Sequence, residues 1–389
     1  MAPAPPAGSG GREDAGAVLT VNAGSHSLKL AVIAAGSGPG GLDVRDEADI
    51  DAAPDSREAS DGLADFLGRA PAVVAAGHRF VHGGTLLRHR VLDEPVLAAI
   101  RAAVPLAPLH NPPALAAFDT CRRHLPDIPH VACLDTVFHA RLPEPARTYA
   151  LPREWNQRYG IRRYGFHGLS YAWILDRAAL LLDRDPAGLQ AVLTHLGGGA
   201  SVCAVRGGRS VWTSMGFTPL EGLAMSQRSG SIDPGLLLWL QTEHGLTAGD
   251  VSDALQHRSG LLGLSGGLSG DTRELVRAAA AGQDAAALAL AVFGLRARQE
   301  IAAAAVSLSQ LDAVVFSGEI GADQPEVRES VAAGLTVLGV AGGLDAAQDR
   351  DHVISRSGVP VLLVHPDEQR QIARVVHAVL AGGRDLDGP

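Results

Sequence analysis

The feature that most limits the possible folds of this 389-residue chain is a repeated pattern, in which a strand runs through a Gly/Ser turn into a second strand. The two copies are VLTVNAGSHSLKLAV (18–32) and VLTHLGGGASVCAV (192–205), one near the start of each half. A chain of this length is too long for one ordinary core. The repeat therefore predicts a duplicated domain with a cleft between the copies, where the backbone N–H groups of both turns could face one phosphate chain.

The rest of the chain has the pattern of an α/β protein, because short β-branched runs alternate with helical stretches rich in Ala and Leu. The predicted strands are 17–22, 28–34, 71–76, 130–135, 191–196, 200–205, 312–317 and 360–364. The predicted helices are 95–104, 112–124, 170–182, 234–243, 284–309, 326–338 and 367–381, with Asp233 and Asp367 as helix starts.

Composition excludes several classes of function. A net charge of −9 without a basic stripe argues against a nucleic-acid partner. Cys121, Cys133 and Cys203 have neither disulfide nor metal-ligand spacing, which favours reduced thiols in a cytoplasm. Residues 1–15 are expected to be a disordered lead rather than a signal peptide, and 286–295, the most apolar run, a buried helix rather than a membrane span.

The first turn, NAGSHSLK (22–29), holds the only lysine of the chain, Lys29, against 32 arginines. Asn22 supplies an amide and Ser25 and Ser27 supply hydroxyls beside that ammonium group. This set suits a phosphate or phosphate–metal site, although it is not a P-loop. A polar hairpin turn is the equally simple alternative.

Two arginines lie in segments that permit close approach of a ligand. Arg79 precedes paired glycines in GHRFVHGG (77–84), immediately after an apolar strand, and Arg228 lies within a long apolar loop (213–235), before Ser229-Gly230. A buried arginine needs an anionic partner, which is either a ligand or a structural carboxylate. His110 lies in a stiff proline-rich loop (106–115), where a packing role is the alternative to a functional one.

Further polar side chains occur at strand ends and helix starts. Asp135 follows a strand, at the edge where α/β sheets bind ligands, or else caps the next turn. His167 lies before a helix in RRYGFHGLSY (162–171) and is either functional or a core histidine. Asp271 and Glu368 open helices, where acidic residues are usually dipole partners, and a divalent metal site is the competing interpretation.

Eight motifs, in order from about residue 17 to about 380, resemble those of the acetate and propionate kinase family, within the superfamily of sugar kinases, actin and heat-shock chaperones. They are NAGSHSLK, GHRFVHGG, LAPLHNPP, LDTVFH, YGFHG, HLGGGAS, TSMGFTPLEG and RSGSIDPG. The resemblance implies two duplicated actin-like (ribonuclease-H-like) α/β domains with an interdomain active-site cleft. It divides the chain into a first domain, 16–138 plus 370–389, and a second, 139–369.

The resemblance also implies roles for individual residues. Those at the reaction centre are Asp135, Arg79, Arg228 and His167, the last two stabilising the transition state. Asn22 and Glu368 would bind Mg²⁺, with Mn²⁺ as an alternative, and Ser25, Ser27 and His110 would support the site. The acyl pocket would consist of Arg79, Val81, Leu109, Phe166 and Pro219. The nucleotide contacts would be Lys29, His195, Leu196, Gly197, Gly198, Gly199, Asp271, Thr272, Arg273, Gly318, Glu319, Ile320 and Gly321.

The expected activity is reversible Mg²⁺-dependent transfer of a phosphoryl group from ATP to acetate, in a cytoplasmic homodimer without a nucleic-acid or membrane partner. Propionate as acceptor and a non-catalytic actin-like nucleotide-binding module are the alternatives. Departures from the family pattern at Gly198, Thr272, Glu319, Ala322 and Asp323 lie on the nucleotide side. Pyrophosphate therefore stays open as the donor in place of ATP.

Overall fold

The computed structural model describes residues 16–24 and 27–382. Its strands, numbered in chain order, are β1 (Ala17–Ala23), β2 (Leu28–Ala35), β3 (Leu42–Ile50), β4 (Val73–Phe80), β5 (Arg90–Val91), β6 (His130–Leu134), β7 (Gln190–Leu196), β8 (Ala200–Arg206), β9 (Arg209–Thr213), β10 (Ala313–Phe316), β11 (His352–Val353) and β12 (Val361–Leu363). The α-helices are α1 (Arg57–Arg69), α2 (Glu94–Ala102), α3 (Asn111–His124), α4 (Glu144–Arg147), α5 (Arg153–Tyr159), α6 (Gly168–Leu181), α7 (Pro234–His244), α8 (Ala248–His257), α9 (Gly260–Leu264), α10 (Thr272–Ala280), α11 (Asp284–Ala305), α12 (Gly318–Asp323), α13 (Pro325–Ala333) and α14 (Glu368–Leu380).

Both predicted hairpins form, and each belongs to a six-stranded sheet with the same topology. The first sheet has the order β3-β2-β1-β4-β6-β5 and the second β9-β8-β7-β10-β12-β11. The three central strands are parallel to one another, namely β1, β4 and β6 in the first sheet and β7, β10 and β12 in the second. The two strands on one side of them and the edge strand on the other side are antiparallel to their neighbours. This equivalence confirms the predicted fold class of two duplicated α/β units.

The last helix returns to the first sheet. Ile372 and Val376 of α14 pack in one apolar cluster with Val18 and Ile33 of the β1–β2 hairpin. Gly77 lies beneath them in β4, and a Cβ on that glycine would come within 2.5 Å of Ile372 and 2.6 Å of Val376. The glycine is therefore required for close packing of α14 on the sheet.

That packing explains one error of the sequence analysis. The prediction ended the strand at 76, before Gly77, and placed Arg79 after it, whereas β4 continues to Phe80. Gly77 to Phe80 pair in parallel with residues 131–134 of β6, so Arg79 belongs to a central strand. The glycine indicated a strand end, although it marks a close contact.

Other predicted boundaries differ less. The helix predicted over 326–338 is α13 followed by a separate 3₁₀ turn, Thr336–Leu338, and 284–309 ends as α11 at Ala305. The prediction omitted β3 because it is an edge strand of sequence LDVRDEADI, in which only Leu42 is buried. It also omitted the short helices and α1, although α1 has a Ser56 cap and buries Ala59, Leu63 and Phe66 at helical spacing.

The described residues include the three cysteines and the most apolar run of the chain, for which the sequence analysis made predictions. Cys121, Cys133 and Cys203 are free and buried, as expected. Residues 286–295 lie in α11 and bury Ala286, Ala289 and Phe293. In the ranges 16–24 and 27–382, no helix combines the length and the apolar character that crossing a bilayer requires. The expected disordered lead, 1–15, lies outside the described residues.

Candidate active site

A cleft of about 550 Å³ lies where the two hairpin turns and the start of α14 face each other. Its lining brings together most residues singled out from the sequence, and they come from both sheets. These are Asn22, Ser27, Lys29, Arg79, Val81, His110, His167, His195, Gly197, Gly198, Gly199, Arg228, Gly318, Glu319 and Glu368. Ser25 lies outside the described residues.

Arg79 points from β4 into this cleft between two carboxylates. Its Nη2 lies 2.8 Å from Asp135 Oδ2, and its Nη1 lies 2.9 Å from Glu368 Oε2. Burial, together with the nearby Glu368 carboxylate, raises the pKa of Asp135 above its usual value, although the Arg79 guanidinium opposes that rise. Arg79 thus joins the end of β6 to the start of α14, and the carboxylate alternative of the sequence analysis describes this geometry.

Glu368 and Asn22 form the part of the site that could hold a divalent cation. Burial would raise the pKa of Glu368, but Arg79, His195 and Asn22 keep it below the usual value, so the carboxylate is ionised. Asn22 Nδ2 donates to Glu368 Oε2 at 3.2 Å. Within the described residues no group of three His, Cys, Asp or Glu side chains could hold a metal. One carboxylate and one amide suit Mg²⁺, which keeps waters and binds phosphate oxygens of a ligand.

Arg228 differs from Arg79 because no carboxylate among the described residues pairs with it. Its Nη1 donates to the carbonyl oxygen of Pro219 at 2.7 Å. Burial lowers its pKa to about 10, so the guanidinium is still charged at neutral pH. A positive charge that is shielded from water and unpaired in a cleft attracts an anionic ligand.

His167 lies at the other side of the same space. It has a left-handed backbone (φ 58°, ψ 24°) immediately before α6. Its Nδ1 lies 2.8 Å from Ser201 Oγ, which in turn lies 2.6 Å from the Tyr171 hydroxyl. Burial, with the nearby His195 and two arginines, lowers the pKa of His167 well below its usual value. The imidazole is therefore neutral at physiological pH.

His167 and Arg228 converge above one glycine. A Cβ built on Gly199 would lie 3.3 Å from His167 Nε2 and 2.7 Å from Arg228 Nη2. An oxygen of a bound ligand in that space would be within hydrogen-bond distance of both groups. The absence of a side chain at Gly199 keeps this position open to a ligand.

Two further histidines border the cleft. The His195 ring stacks on His167 with centroids 4.3 Å apart, and its Nδ1 lies 2.8 Å from Ser170 Oγ. Burial lowers the pKa of His195 to about 4, and burial together with Arg228 and Arg79 lowers that of His110 to about 3. Both rings are neutral and add no charge to the cleft.

The four apolar residues predicted for an acyl pocket lie along two adjoining cavities and in the core beside them. Val81 lines the main cleft, whereas Leu109 and Pro219 line an adjoining pocket of about 240 Å³. His110 and Arg228 border both cavities. Phe166 is 1% exposed and packs in the core of the second unit.

A third pocket, of about 440 Å³, adjoins the cleft on the side of α10 and α12. Gly198 and Glu319 line both cavities, while Thr272, Arg273 and Ile320 line the pocket alone. Leu196 and Gly321, also predicted as contacts, are buried and line none of these three cavities.

Several side chains that line the third pocket also form ion pairs or hydrogen bonds with other protein groups. Asp271 caps α10 and pairs with Arg273 at 2.7 Å, and Thr272 donates to Gln324 at 2.5 Å. Asp271 thus performs the helix-start role that the sequence analysis gave as the usual one for an acidic residue at this position.

The sequence analysis missed the residues that hold the histidines. Ser170, Tyr171 and Ser201 orient the two rings, and Gln324 lies in the third pocket. Ser201 lies inside the HLGGGAS motif, which was a usable signal. Ser170 and Tyr171 lie inside RRYGFHGLSY (162–171), although a hydroxyl in the first turn of a helix is ordinary and does not by itself indicate a contact with a histidine.

The chain resembles known proteins of one family in both sequence and structure. A family model described as the acetokinase family matches residues 46–374. The acetate kinase of Deinococcus radiodurans is 44% identical, over 94% of this chain and 98% of that protein. A crystal structure of Porphyromonas gingivalis acetate kinase superposes with a TM-score of 0.84 at 32% identity, covering 94% of this chain and 100% of the other. A propionate kinase from Francisella tularensis reaches 0.82 at 30% identity, covering 92% and 98%. The chain belongs to the acetokinase family and is a phosphotransferase that acts on a carboxyl group.

Proposed function

We propose that this enzyme interconverts ATP plus acetate with ADP plus acetyl phosphate by direct in-line transfer in the cleft. The observation that carries the proposal is the convergence of the unpaired Arg228 guanidinium and the neutral His167 imidazole above Gly199. The names of relatives such as the Deinococcus radiodurans acetate kinase support acetate as the acceptor.

The acceptor needs no general base. A carboxylic acid titrates at a pH of about 4, so acetate is already a nucleophilic anion at neutral pH. The obstacle is repulsion between two anions, the carboxylate and the γ-phosphoryl group. Arg228 offsets that repulsion because its charge has no carboxylate partner in the described part of the chain, and Arg79, although ion-paired, adds donors at the same cleft.

His167 is proposed as a hydrogen-bond donor to the phosphoryl group. When the Tyr171 hydroxyl donates to Ser201 and Ser201 donates to Nδ1 of His167, the ring proton resides on Nε2, which faces the open space at Gly199. Because the pKa of the ring is lowered, the imidazole does not retain a second proton at neutral pH, so it does not serve as a general base. Asp135 holds Arg79 in orientation.

We assign Mg²⁺, or Mn²⁺ in its place, to Glu368 and Asn22, because both residues line the cleft and have side-chain oxygens, the ligand type that these cations prefer. The bound ion would neutralise charge on the donor phosphates. The third pocket supports a nucleotide donor, since it adjoins the cleft through Gly198 and Glu319. Lys29 pairs with Asp49 at 3.9 Å with both side chains more than half exposed, which supports a lesser role.

The assembly and location are also proposals. A homodimer is supported by α7, a helix rich in leucine of which no residue is buried. A cytoplasmic location is supported by three buried cysteines that form no disulfide.

A hydroxamate assay for acyl phosphate tests the function, with ATP and with pyrophosphate as donors over acetate, propionate and butyrate. We expect product from ATP and acetate. Product formed with pyrophosphate but not with ATP would identify pyrophosphate as the donor. A preference for propionate would identify propionate as the acceptor. The absence of product with every pair would favour the non-catalytic nucleotide-binding module.

The proposed roles predict that Arg228→Ala lowers kcat on the order of 10³-fold, as loss of a charge clamp does in other phosphoryl transfers. Arg296→Ala, at an exposed position of α11, serves as control and retains the parent rate. Steady-state kinetics at saturating donor and acceptor give the comparison. A kcat for Arg228→Ala close to that of the parent would reject the clamp.

A further inference from the structure

A second network of polar side chains lies behind Arg228, outside the cleft lining. It ties the segment before His167 to the loop 214–231, here named the Arg228 loop. Arg163 Nη2 lies 2.6 Å from Glu221 Oε1, and Arg163 Nη1 donates to the carbonyl oxygen of Ser214 at 3.0 Å. The Tyr149 hydroxyl donates to Glu221 Oε2 and accepts the Phe217 N–H at 2.9 Å.

The network acts on both ends of the loop. Glu221 is two residues from Pro219, whose carbonyl oxygen accepts from the Arg228 guanidinium. Gly222 pairs with Ser231 through two hydrogen bonds of 2.9 and 3.0 Å, which close the loop behind Arg228. A shift of Glu221 would therefore move the acceptor that orients Arg228.

The same segment that holds the loop also leads into His167. The N–H groups of Tyr164 and Gly165 both donate to the carbonyl oxygen of Gly216, at 3.0 and 3.3 Å. Arg163 lies four residues before His167. Arg163, Glu221 and the Gly216 carbonyl thus connect the loop that carries Arg228 to the segment that leads into His167.

Tyr149, Arg163 and Glu221, here called the joint, form a rigid set of contacts between the two segments. Arg163 and Glu221 are 16% and 33% exposed, so water competes little for the pair. Burial raises the pKa of Tyr149 above its usual value, which keeps its hydroxyl protonated as a donor. The Arg163 guanidinium also covers the Tyr149 ring at 5.3 Å from the centroid.

We propose that Tyr149, Arg163 and Glu221 are positioning residues, which set the separation of Arg228 and His167 for phosphoryl transfer. The inference rests on the roles proposed above for Arg228 and His167. Misplacement of a reacting group by about 1 Å costs on the order of 100-fold in rate, so a change at this joint is visible in kcat.

The test is a double-mutant cycle between Glu221→Gln and Arg228→Ala, measured in the steady state at raised enzyme concentration so that slow variants remain measurable. Glu221→Gln removes the charge that holds Arg163 but keeps the shape. Arg163→Ala is less suitable because Glu300, which also faces Arg163 and Glu221, would be left beside an unpaired carboxylate.

We expect Glu221→Gln to lower kcat by roughly 10- to 100-fold, with the KM for ATP within about twofold of the parent. In the Arg228→Ala background the same substitution should cause no further loss, because it acts through Arg228. An equal loss in both backgrounds, or a kcat within twofold of the parent, would overturn the inference.

Two further variants keep the result interpretable. Asp312→Asn removes a comparable ion pair, Arg184–Asp312, at the start of β7 and remote from the cleft, and should leave kcat unchanged. If Glu221→Gln does not fold, the cycle is made with Tyr149→Phe, which removes one oxygen and should give the same pattern. A near-normal kcat in Arg228→Ala alone would instead reject the proposed clamp and leave the joint without a function.

Discussion

At the scale of single residues, the site depends on the lack of a side chain at Gly199. Gly199 has no Cβ, and the atoms nearest to that position are Arg228 Nη2 and His167 Nε2. A glycine in this turn therefore has a chemical purpose besides backbone freedom, since it leaves space for a ligand oxygen between two donors.

We predict that Gly199→Ala lowers kcat by about 100-fold or more, because a methyl group 2.7 Å from Arg228 Nη2 displaces the guanidinium and fills the ligand position. Stability should change little, since the closest atom is the end of a flexible side chain. Kinetics of acyl phosphate formation and a thermal melt measure both effects.

The neighbouring glycine is the matched control for that substitution. A Cβ on Gly198 meets no atom within 4 Å, so Gly198→Ala should have a far smaller effect on kcat. Equal losses in the two variants would mean that the turn needs glycine for its backbone and not for the space above it.

At the scale of elements, α7 differs from the other long helices because none of its residues is buried. It begins at the Asp233 cap and ends at Gly245 in the left-handed conformation (φ 66°), so its termini are well formed. Leu238 and Trp239 are 64% and 50% exposed. An apolar surface on a capped helix marks an interface with another protein, here proposed as a second copy.

We predict that Trp239→Glu converts the dimer to a monomer, because it places a charge in the apolar surface that the partner would bury. Sedimentation or light scattering at micromolar concentration measures the mass. Gln241→Glu adds the same charge at an exposed position of the same helix and should leave the dimer intact. A monomeric parent protein would contradict the proposed assembly.

At the scale of the whole molecule, several histidines are buried and neutral. Their pKa values are lowered by burial, to about 4 for His82, His139 and His195 and about 3 for His110. In the unfolded chain each would titrate near pH 6.5. Below that pH the unfolded state binds more protons than the folded state, so stability falls as the pH falls from about 6.5 towards 4.

We predict a steep loss of unfolding free energy between pH 6.5 and 5, with each such histidine contributing about 1.4 kcal/mol per pH unit once its unfolded form is protonated. Urea denaturation at a series of pH values measures this slope. His139→Gln, which alters a ring outside the cleft lining, should reduce the slope by about one proton. An unchanged slope would show that His139 does not contribute to the pH dependence of stability. The difference in unfolding free energy between the variant and the parent at pH 8, where histidine is neutral in both states, measures the loss of packing alone.

The sequence predicted the family, the duplicated fold and most of the cleft lining because those features depend on local patterns. The two Gly/Ser turns, Asp135 at a strand end and His167 before a helix are readable without knowledge of distant contacts. The family and the fold class are confirmed by the acetokinase match and by the two equivalent sheets. The division into domains at residues 138 and 370 stays a prediction, as do the catalytic roles.

The tertiary structure alone decided which of two similar arginines is free to meet an anion. Both arginines lie close to glycines, Arg79 in GHRFVHGG and Arg228 before Ser229-Gly230, and neither local sequence shows whether a carboxylate pairs with the guanidinium. Folding brings Asp135 and Glu368, which are 233 residues apart in number, to Arg79, whereas no carboxylate among the described residues reaches Arg228, which donates to a carbonyl oxygen. The sequence by itself determined which groups are present, whereas charge compensation depends on distances between segments remote along the chain, which only the packed structure sets.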